Sequence, residues 1–346
     1  MRQTTMMILL LVSIFVFTFL NIAIGSVYIP VGDVMSILNP FSASAASGSQ
    51  MEIWTNIVRH TRLPQTLTAM ACGAGLSVAG LEMQTVFRNP LAGPSVLGVS
   101  SAASLGVAFV VLLNGAFGGM LSSFGFVGNT AITMAAICGS MAVMGLMAFL
   151  SQRVSGNVTL LITGVLIGYI ATAIIGVLKY FSSEEDIRTY VVWGLGSFSR
   201  VTGGQELVFL GMVAVLLPFA MLLAKPLNTL LLGERYAVNL GLNVRRARIL
   251  IILSAGILTS VVTAYCGPIM FLGLAVPHIS RTLFNTTDHR TLIPATICCG
   301  ASLALLCNLI ARMPGFEGAL PINSVTSLIG APIALSILLR RKRAAE

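Results

Sequence analysis

The sequence predicts an all-α membrane protein, one transmembrane domain over residues 1–346 with ten membrane-crossing helices. Three observations predict it. Of 346 residues, 56% are hydrophobic and 9% charged, and the mean hydropathy of +0.94 leaves too little polar surface to coat soluble domains of this length. Ten apolar stretches approach the ~20 residues that a helix needs to cross ~30 Å of hydrocarbon. Basic residues gather on alternate connections between them, so the net charge of +9 reads as membrane orientation rather than nucleic-acid binding.

The stretches fall near 6–25, 64–86, 95–113, 129–150, 158–178, 206–224, 248–266, 269–284, 292–311 and 322–339. The first follows Arg2, is too long for the apolar core of a secretory signal and precedes no convincing cleavage site, so it is expected to stay as a helix. Segment 269–284 is short and contains Pro277, which predicts a bent or broken helix. An even number of crossings puts both termini on one side. With that side cytoplasmic, the inner connections carry fourteen basic residues against three acidic ones and the outer connections six against seven; Glu82 is left inside a span. Cys72, Cys138, Cys266, Cys298, Cys299 and Cys307 lie in apolar stretches without C-x-x-C spacing, which predicts packed thiols rather than disulfides or a metal site.

Between spans two and three stands "FRNPLAGPSVLGVSS", Phe87 to Ser101. Pro90 and Pro94 each remove a backbone donor and turn the preceding residue away from the helical region, so the chain unwinds here. Asn89, Ser95, Ser100 and Ser101 suit the wall of a polar cavity; an ordinary packed loop is the alternative. On the inner side, "LLGERYAVNLGLNVRRAR" reads as a small helix inside an insertion at about 226–247. Gly233 starts a fresh turn, Ala237, Leu240 and Leu242 form an apolar edge, and Gly241 with Asn243 ends it. An interfacial helix held to anionic lipid by Arg235, Arg245, Arg246 and Arg248 would read similarly.

Span five carries Gly164 and Gly168 at G-x-x-x-G spacing, which lets another helix approach closely. Span ten supplies Asn323, Ser324, Thr326 and Ser327 near its outer end as a weakly polar wall. Glu82 is costly in a span unless neutral, paired or wetted. It would be the coupling site if the chain were an ion-coupled secondary transporter. His278, Asp288 and His289 lack ligand spacing on one helix, so a structural turn is expected there rather than the metal site of a membrane-embedded enzyme.

Four blocks carry a resemblance: "RLPQTLTAMACGAGLSVAGLEMQTVFRNPLAGPSVLGVSS" (62–101), "LGERYAVNLGLNVRRAR" (232–248), "GPIMFLGLAVPHISRTLFNTTDHRTLIPA" (267–295) and "ALPINSVTSLIGAPIALSILLRR" (319–341). In order and spacing they resemble the FecCD family, permease subunits of type II ABC importers. The resemblance implies a homodimer in a bacterial inner membrane, two cytoplasmic ABC ATPases, an extracytoplasmic binding protein, and a metal chelate as cargo. Iron-siderophore is the first expectation, with haem and cobalamin next. Spans two to five and seven to ten are offset by five crossings, so a repeat between them would be inverted, as is common in transporters, and its internal similarity is faint in this sequence. The chain has no G-x-x-x-x-G-K-[ST] loop and no Gly-Lys pair, so ATP and Mg are expected on the partner ATPase, with no catalytic residue, metal or cofactor in this chain.

Carried over by matching positions, Gly233, Glu234, Ala237, Leu240 and Gly241 would sit in a groove of the ATPase. Asn89, Leu91, Asn157 and Val158 would form the cytoplasmic gate, although the family favours small hydroxylated residues near the last two. Gly164, Gly168, Asn323, Ser324, Thr326 and Ser327 would line the path. Arg62 and Arg312 would meet carboxylates of the binding protein, with Arg59 making up for Gln65, which stands where the family often has a second arginine.

Overall fold

Long apolar runs interrupted only by proline, glycine and short polar connections give a bundle of helices. The computed structural model describes residues 2–25, 27–39, 49–113, 129–153, 157–201, 203–313 and 319–343; side chains at 96, 152, 157 and 337–343 fall outside the description. In chain order the helices are α1 (Arg2–Ala23), α2 (Val31–Leu38), α3 (Ser49–Ile57), α4 (Leu63–Phe87), α5 (Val99–Leu112), α6 (Asn129–Arg153), α7 (Asn157–Tyr180), α8 (Glu184–Gly194), α9 (Gln205–Leu222), α10 (Ala224–Leu231), α11 (Glu234–Asn239), α12 (Val244–Cys266), α13 (Leu272–Phe284), α14 (His289–Ala311) and α15 (Ile322–Arg343).

Each expected span corresponds to one of these helices. Seven, including the continuous run Ser49–Phe87, are long and apolar enough to cross a membrane by length and composition; Val99–Leu112 and Ile322–Ser336 are shorter apolar segments. The short members have local causes. A 3₁₀ turn, Pro94–Leu97, occupies the start of span three. Before α13 the backbone leaves the helix at Gly267 and regains it only after Phe271, a non-glycine residue at φ 68°.

α4 is the axis of the fold. Nearly all of its residues are buried, and it packs against α12, α13 and α14, while α1 lies outside α14 and the α5–α6 pair leans on α12. Glycine makes this possible. A methyl at Gly80 would lie 1.7 Å from the carbonyl oxygen of Gly273 in α13, and one at Gly73 would lie 2.2 Å from the Gly300 carbonyl in α14. Backbone meets backbone at both crossings, the arrangement by which membrane helices gain dispersion contact. A buried polar chain adds direction: the Gln65 amide donates to Asn308 Oδ1 at 3.0 Å and the Asn308 amide to Asn21 Oδ1 at 2.8 Å, joining α4, α14 and α1.

The core divides along the bundle. One cluster gathers Trp193, Phe198, Phe209 and Tyr265; a second gathers Phe87, Met144, Met147, Leu227, Leu230 and Ala237 at the end where α10 and α11 sit; a smaller third gathers Ile22, Ile29, Val34, Ile37 and Val58. α7, by contrast, exposes Val158, Ile162, Leu166, Tyr169, Ile170 and Val177.

Candidate transport machinery

At one end of the bundle α10 and α11 form a projection. Gly233 breaks the chain between them at φ 114°, a value that favours glycine. The Ala237 N–H then closes the first turn of α11 on the Gly233 carbonyl at 2.8 Å. Ala237 is 0% exposed and belongs to the cluster of Leu227 and Leu230. The resemblance put Ala237 among the residues that would sit in a groove of the ATPase; its burial does not fit that role, because a two-turn helix lying on α10 must use one side as its foot. Exposed apolar side chains surround this foot: Tyr236 (68% exposed), Val238 and Leu240 (66%), with Leu231 and Leu232 close by in sequence. Of these, Leu240 alone was singled out in the sequence, since i, i+2 and i+4 positions on so short a helix give no periodic signal. Glu234 pairs with Arg248 of α12 and steadies the start of α11.

The projection is tied to the bundle by polar contacts. Arg88, the left-handed residue that ends α4, donates to the Leu230 carbonyl at 2.6 Å. Asn228 of α10 accepts from the His289 backbone N–H and ring Nδ1, both at 2.8 Å, and its amide donates to Asp288 at 2.5 Å. Asp288 caps α14, and hydrogen bonds from the Arg290 N–H and Asn228 hold its carboxyl below the usual range. His289 Nε2 lies 2.8 Å from Thr85 Oγ1 of α4. His278 Nε2 lies 3.0 Å from the Pro90 carbonyl, which fits donation to the unwound turn. Both imidazoles are thus engaged in joining segments.

The turn after α4 is unwound as its prolines require. Leu91 N–H bonds the Asn89 side chain at 3.0 Å, so that oxygen closes a local turn rather than facing a cavity. Ser95 and Ser100 border one cavity of about 130 Å³ with Thr259 and Phe271. Ser95 and Ser101 border another of about 300 Å³ with Gly164, Gly168, Tyr169 and Thr172. Gly164 and Gly168 receive Gly98, where a methyl would stand 2.8 Å from the Gly164 carbonyl. The G-x-x-x-G spacing therefore seats the start of α5 within the subunit. Val158 is 71% exposed and Leu91 37%; the side chain of Asn157 lies outside the described residues. In α15, Asn323 accepts from the Met270 N–H at 3.2 Å, and Thr326 and Ser327 return their hydroxyls to the Asn323 carbonyl, leaving Ser324 as the exposed hydroxyl of the four.

The profile of the FecCD transport family matches residues 10–340. The chain belongs to the FecCD transport family. It is 36% identical over 282 residues to the vitamin B12 import system permease protein BtuC of Escherichia coli (strain K12 / DH10B), covering 82% of this chain and 83% of that protein. It is 34% identical over 300 residues to the hemin transport system permease protein HmuU of Yersinia pestis, covering 86% of each. A solved structure, described as an inward-facing conformation of a metal-chelate type ABC transporter, superposes with a TM-score of 0.81 at 26% identity, covering 98% of this chain and 99% of that one.

At the opposite end of this FecCD permease stand the arginines. Arg62 is 1% exposed. A π-helical turn, Val58–Arg62, carries it under the end of α1, where its guanidinium donates to the carbonyls of Ile22 and Ala23 at 2.8 Å and to that of Val27. Those carbonyls have no partner within α1. The outward docking role expected of Arg62 does not fit this placement, and Gln65 likewise faces inward on Asn308. Arg59 is exposed and holds the Ile37 carbonyl at 3.1 Å. Arg312 lies beside a cavity of about 190 Å³ with Gly196, Ser197 and Leu320. Its buried Nη1 has no partner among the described residues. Burial, with the like charge of Arg62, pushes its guanidinium down to about 10. Arg200 shares the unpartnered Nη1 and was not singled out in the sequence.

Glu82 is fully buried in α4, where Oε1 accepts from Ser254 Oγ of α12 at 2.8 Å and Oε2 has no partner among the described residues. The bond joins two packed helices and needs only an acceptor. Glu82→Gln is therefore expected to keep ATP-driven uptake within about twofold, a barrier change well under 1 kcal/mol. Loss of uptake in this variant, measured in proteoliposomes, would favour the ion-coupled reading.

Proposed function

We propose that this chain is the membrane subunit of an ATP-binding-cassette importer for a bulky metal chelate of the siderophore, haem or cobalamin class. It works as a homodimer of ten-span subunits related internally by an inverted repeat, in a bacterial inner membrane with both termini cytoplasmic. Two ATPases bind the α10–α11 projections and supply ATP and Mg, and an extracytoplasmic binding protein delivers the cargo. The observation that carries this reading is the chain-long likeness to FecCD permeases, joined to an ABC transporter structure that matches 98% of the chain.

Local geometry supports the proposed ATPase contact and gate. The exposed side chains of Tyr236, Val238 and Leu240 have the aromatic and aliphatic character of interface anchors. The exposed faces of Leu91 and Val158, and the apolar stripe of α7, suit a second copy across a two-fold axis, where they close the gate. Ser101, Gly164, Gly168 and Thr172 border the cavity of about 300 Å³ beside α7, and a weakly polar surface of this kind, facing a second copy, suits a path that releases its cargo. Uptake by a permease-deletion strain offered each chelate in turn tests the substrate; growth or accumulation restored with none of them refutes the class.

At the outer end, Arg312 is half-buried and its Nη1 has no partner among the described residues, so a carboxylate of the binding protein would compensate its charge. Arg312→Glu with Arg59→Glu is expected to weaken the binding protein by about tenfold or more, as charge pairs at interfaces do. Affinity for the permease–ATPase complex in nanodiscs checks this, and an unchanged value removes both arginines from the dock. Arg62→Glu should instead lower the yield of folded protein.

A further inference from the structure

Behind the projection lies a recess of about 440 Å³ lined by Gln84, Thr85, Arg88, His278, Arg281 and His289. Four helices and a turn bring these groups together. Gln84 and Thr85 come from the last turns of α4, Arg88 from its left-handed end, His278 and Arg281 from α13 and His289 from the start of α14, with Leu231 of α10 at the margin.

The charge in this recess is one-sided. Arg281 is half-buried and spends one N–H on Gln84 Oε1 at 2.6 Å, while the Gln84 amide is held by the Leu274 carbonyl at 3.1 Å. Its charge acts on both the His278 and the His289 rings. Arg88 spends one donor on the Leu230 carbonyl. Among the described residues neither arginine has a carboxylate within ion-pair distance, and Glu234 pairs instead with Arg248. The carboxylates of the surrounding elements are committed: Asp288 accepts from Asn228 and from the Arg290 N–H, and Glu82 faces Ser254. Lys225 of α10 and Arg290 of α14 add further positive charge at this end. A partly desolvated guanidinium without a counter-charge is unfavourable, and a planar fork of free N–H donors beside a second arginine matches the oxygens of a phosphate.

We propose that this recess binds a phosphate group, carried either by an anionic lipid headgroup or by free phosphate. Bound there, the anion bridges Arg281 of α13 to Arg88, the residue that ties α4 to the projection, and stiffens the joint between the ATPase-facing helices and the gate turn. Its cytoplasmic location rests on the orientation proposed above; the binding itself does not.

The test uses the permease–ATPase complex without nucleotide, so it reads no transport and its failure leaves the importer reading standing. In one arm, binding of radiolabelled inorganic phosphate is measured in phosphatidylcholine nanodiscs. In the other, phosphatidylglycerol retained after exchange into detergent is counted by native mass spectrometry. Arg88→Gln with Arg281→Gln is expected to weaken the bound species about tenfold, since two charge-assisted contacts are lost, whereas Arg153→Gln, outside the recess, leaves it unchanged. If the glutamine pair does not fold, Arg281→Lys decides, with several-fold weaker binding expected because an ammonium cannot reproduce the fork. Retained lipid without phosphate binding assigns the headgroup, and phosphate binding without retained lipid assigns the free anion. Neither ligand bound, or affinity unchanged in the recess variants, overturns the proposal.

Discussion

Tyr236→Asp with Leu240→Asp is expected to cut ATP-driven uptake by about tenfold or more while leaving the permease folded and the partner ATPase able to hydrolyse ATP. Both side chains are two-thirds exposed on α11 and neither supports the bundle. A folding defect is therefore not expected. An exposed tyrosine and leucine on a rigid projection are the residue types that anchor an interface, where loss of one anchor costs ~1–2 kcal/mol or more, and ~1.4 kcal/mol is already tenfold in occupancy. Ala237→Leu should act differently. Ala237 is the foot of α11 on Leu227 and Leu230, so a larger side chain lifts the whole helix, and the defect should appear in thermal stability as well as in coupling. Co-purification of the ATPase with each variant, alongside melting temperature, separates the two. Undiminished uptake in the double aspartate variant would show that force enters elsewhere.

The second large effect lies at the centre of the bundle. Gly80→Leu is expected to leave little folded protein, and even Gly80→Ala should cost more than the ~1–3 kcal/mol typical of overpacking. The reason is the identity of the obstacle. The added Cβ would meet the Gly273 backbone at 1.7 Å, and a carbonyl in a helix cannot rotate aside as a side chain does. Gly211→Ala in α9 is the control, because a methyl there meets nothing within 4 Å and alanine favours the helix. Monodisperse protein recovered by size exclusion measures both. Equal recovery of Gly80→Leu and Gly211→Ala would mean that α4 and α13 do not cross as described.

Much of this plan could be read from the chain itself. Hydrophobic length located every helix expected as a span, and Pro90 and Pro94 announced the unwound turn, because proline acts on the backbone whatever surrounds it. What stayed hidden depended on neighbours. α4 and α7 are both apolar, yet α4 is buried in protein and α7 exposes Ile162, Leu166 and Ile170; hydropathy alone cannot separate a lipid or a second subunit from a protein core. Arg62 read as an outer charge because the π-helical turn that rotates it under α1 has no sequence signal. Ala237 read as one apolar edge with Leu240 and Leu242 because a six-residue helix is too short for periodicity to separate its buried side from its open one. The four hydroxyl and amide residues of α15 read as a polar wall, but three of them spend their groups on Met270 and on the local backbone. The short helices α2, α3 and α8 fall in connections where composition gave no expectation.

The account turns on where the energy enters, and one measurement addresses that directly. The purified permease is reconstituted into proteoliposomes with its binding protein and chelate, with ATP enclosed, and uptake is compared with the cognate ATPase present, absent, or inactivated in its phosphate-binding lysine. Uptake with the active ATPase, and none in the other two, is the predicted result. Accumulation by the permease alone, driven by an imposed proton or sodium gradient, would contradict it.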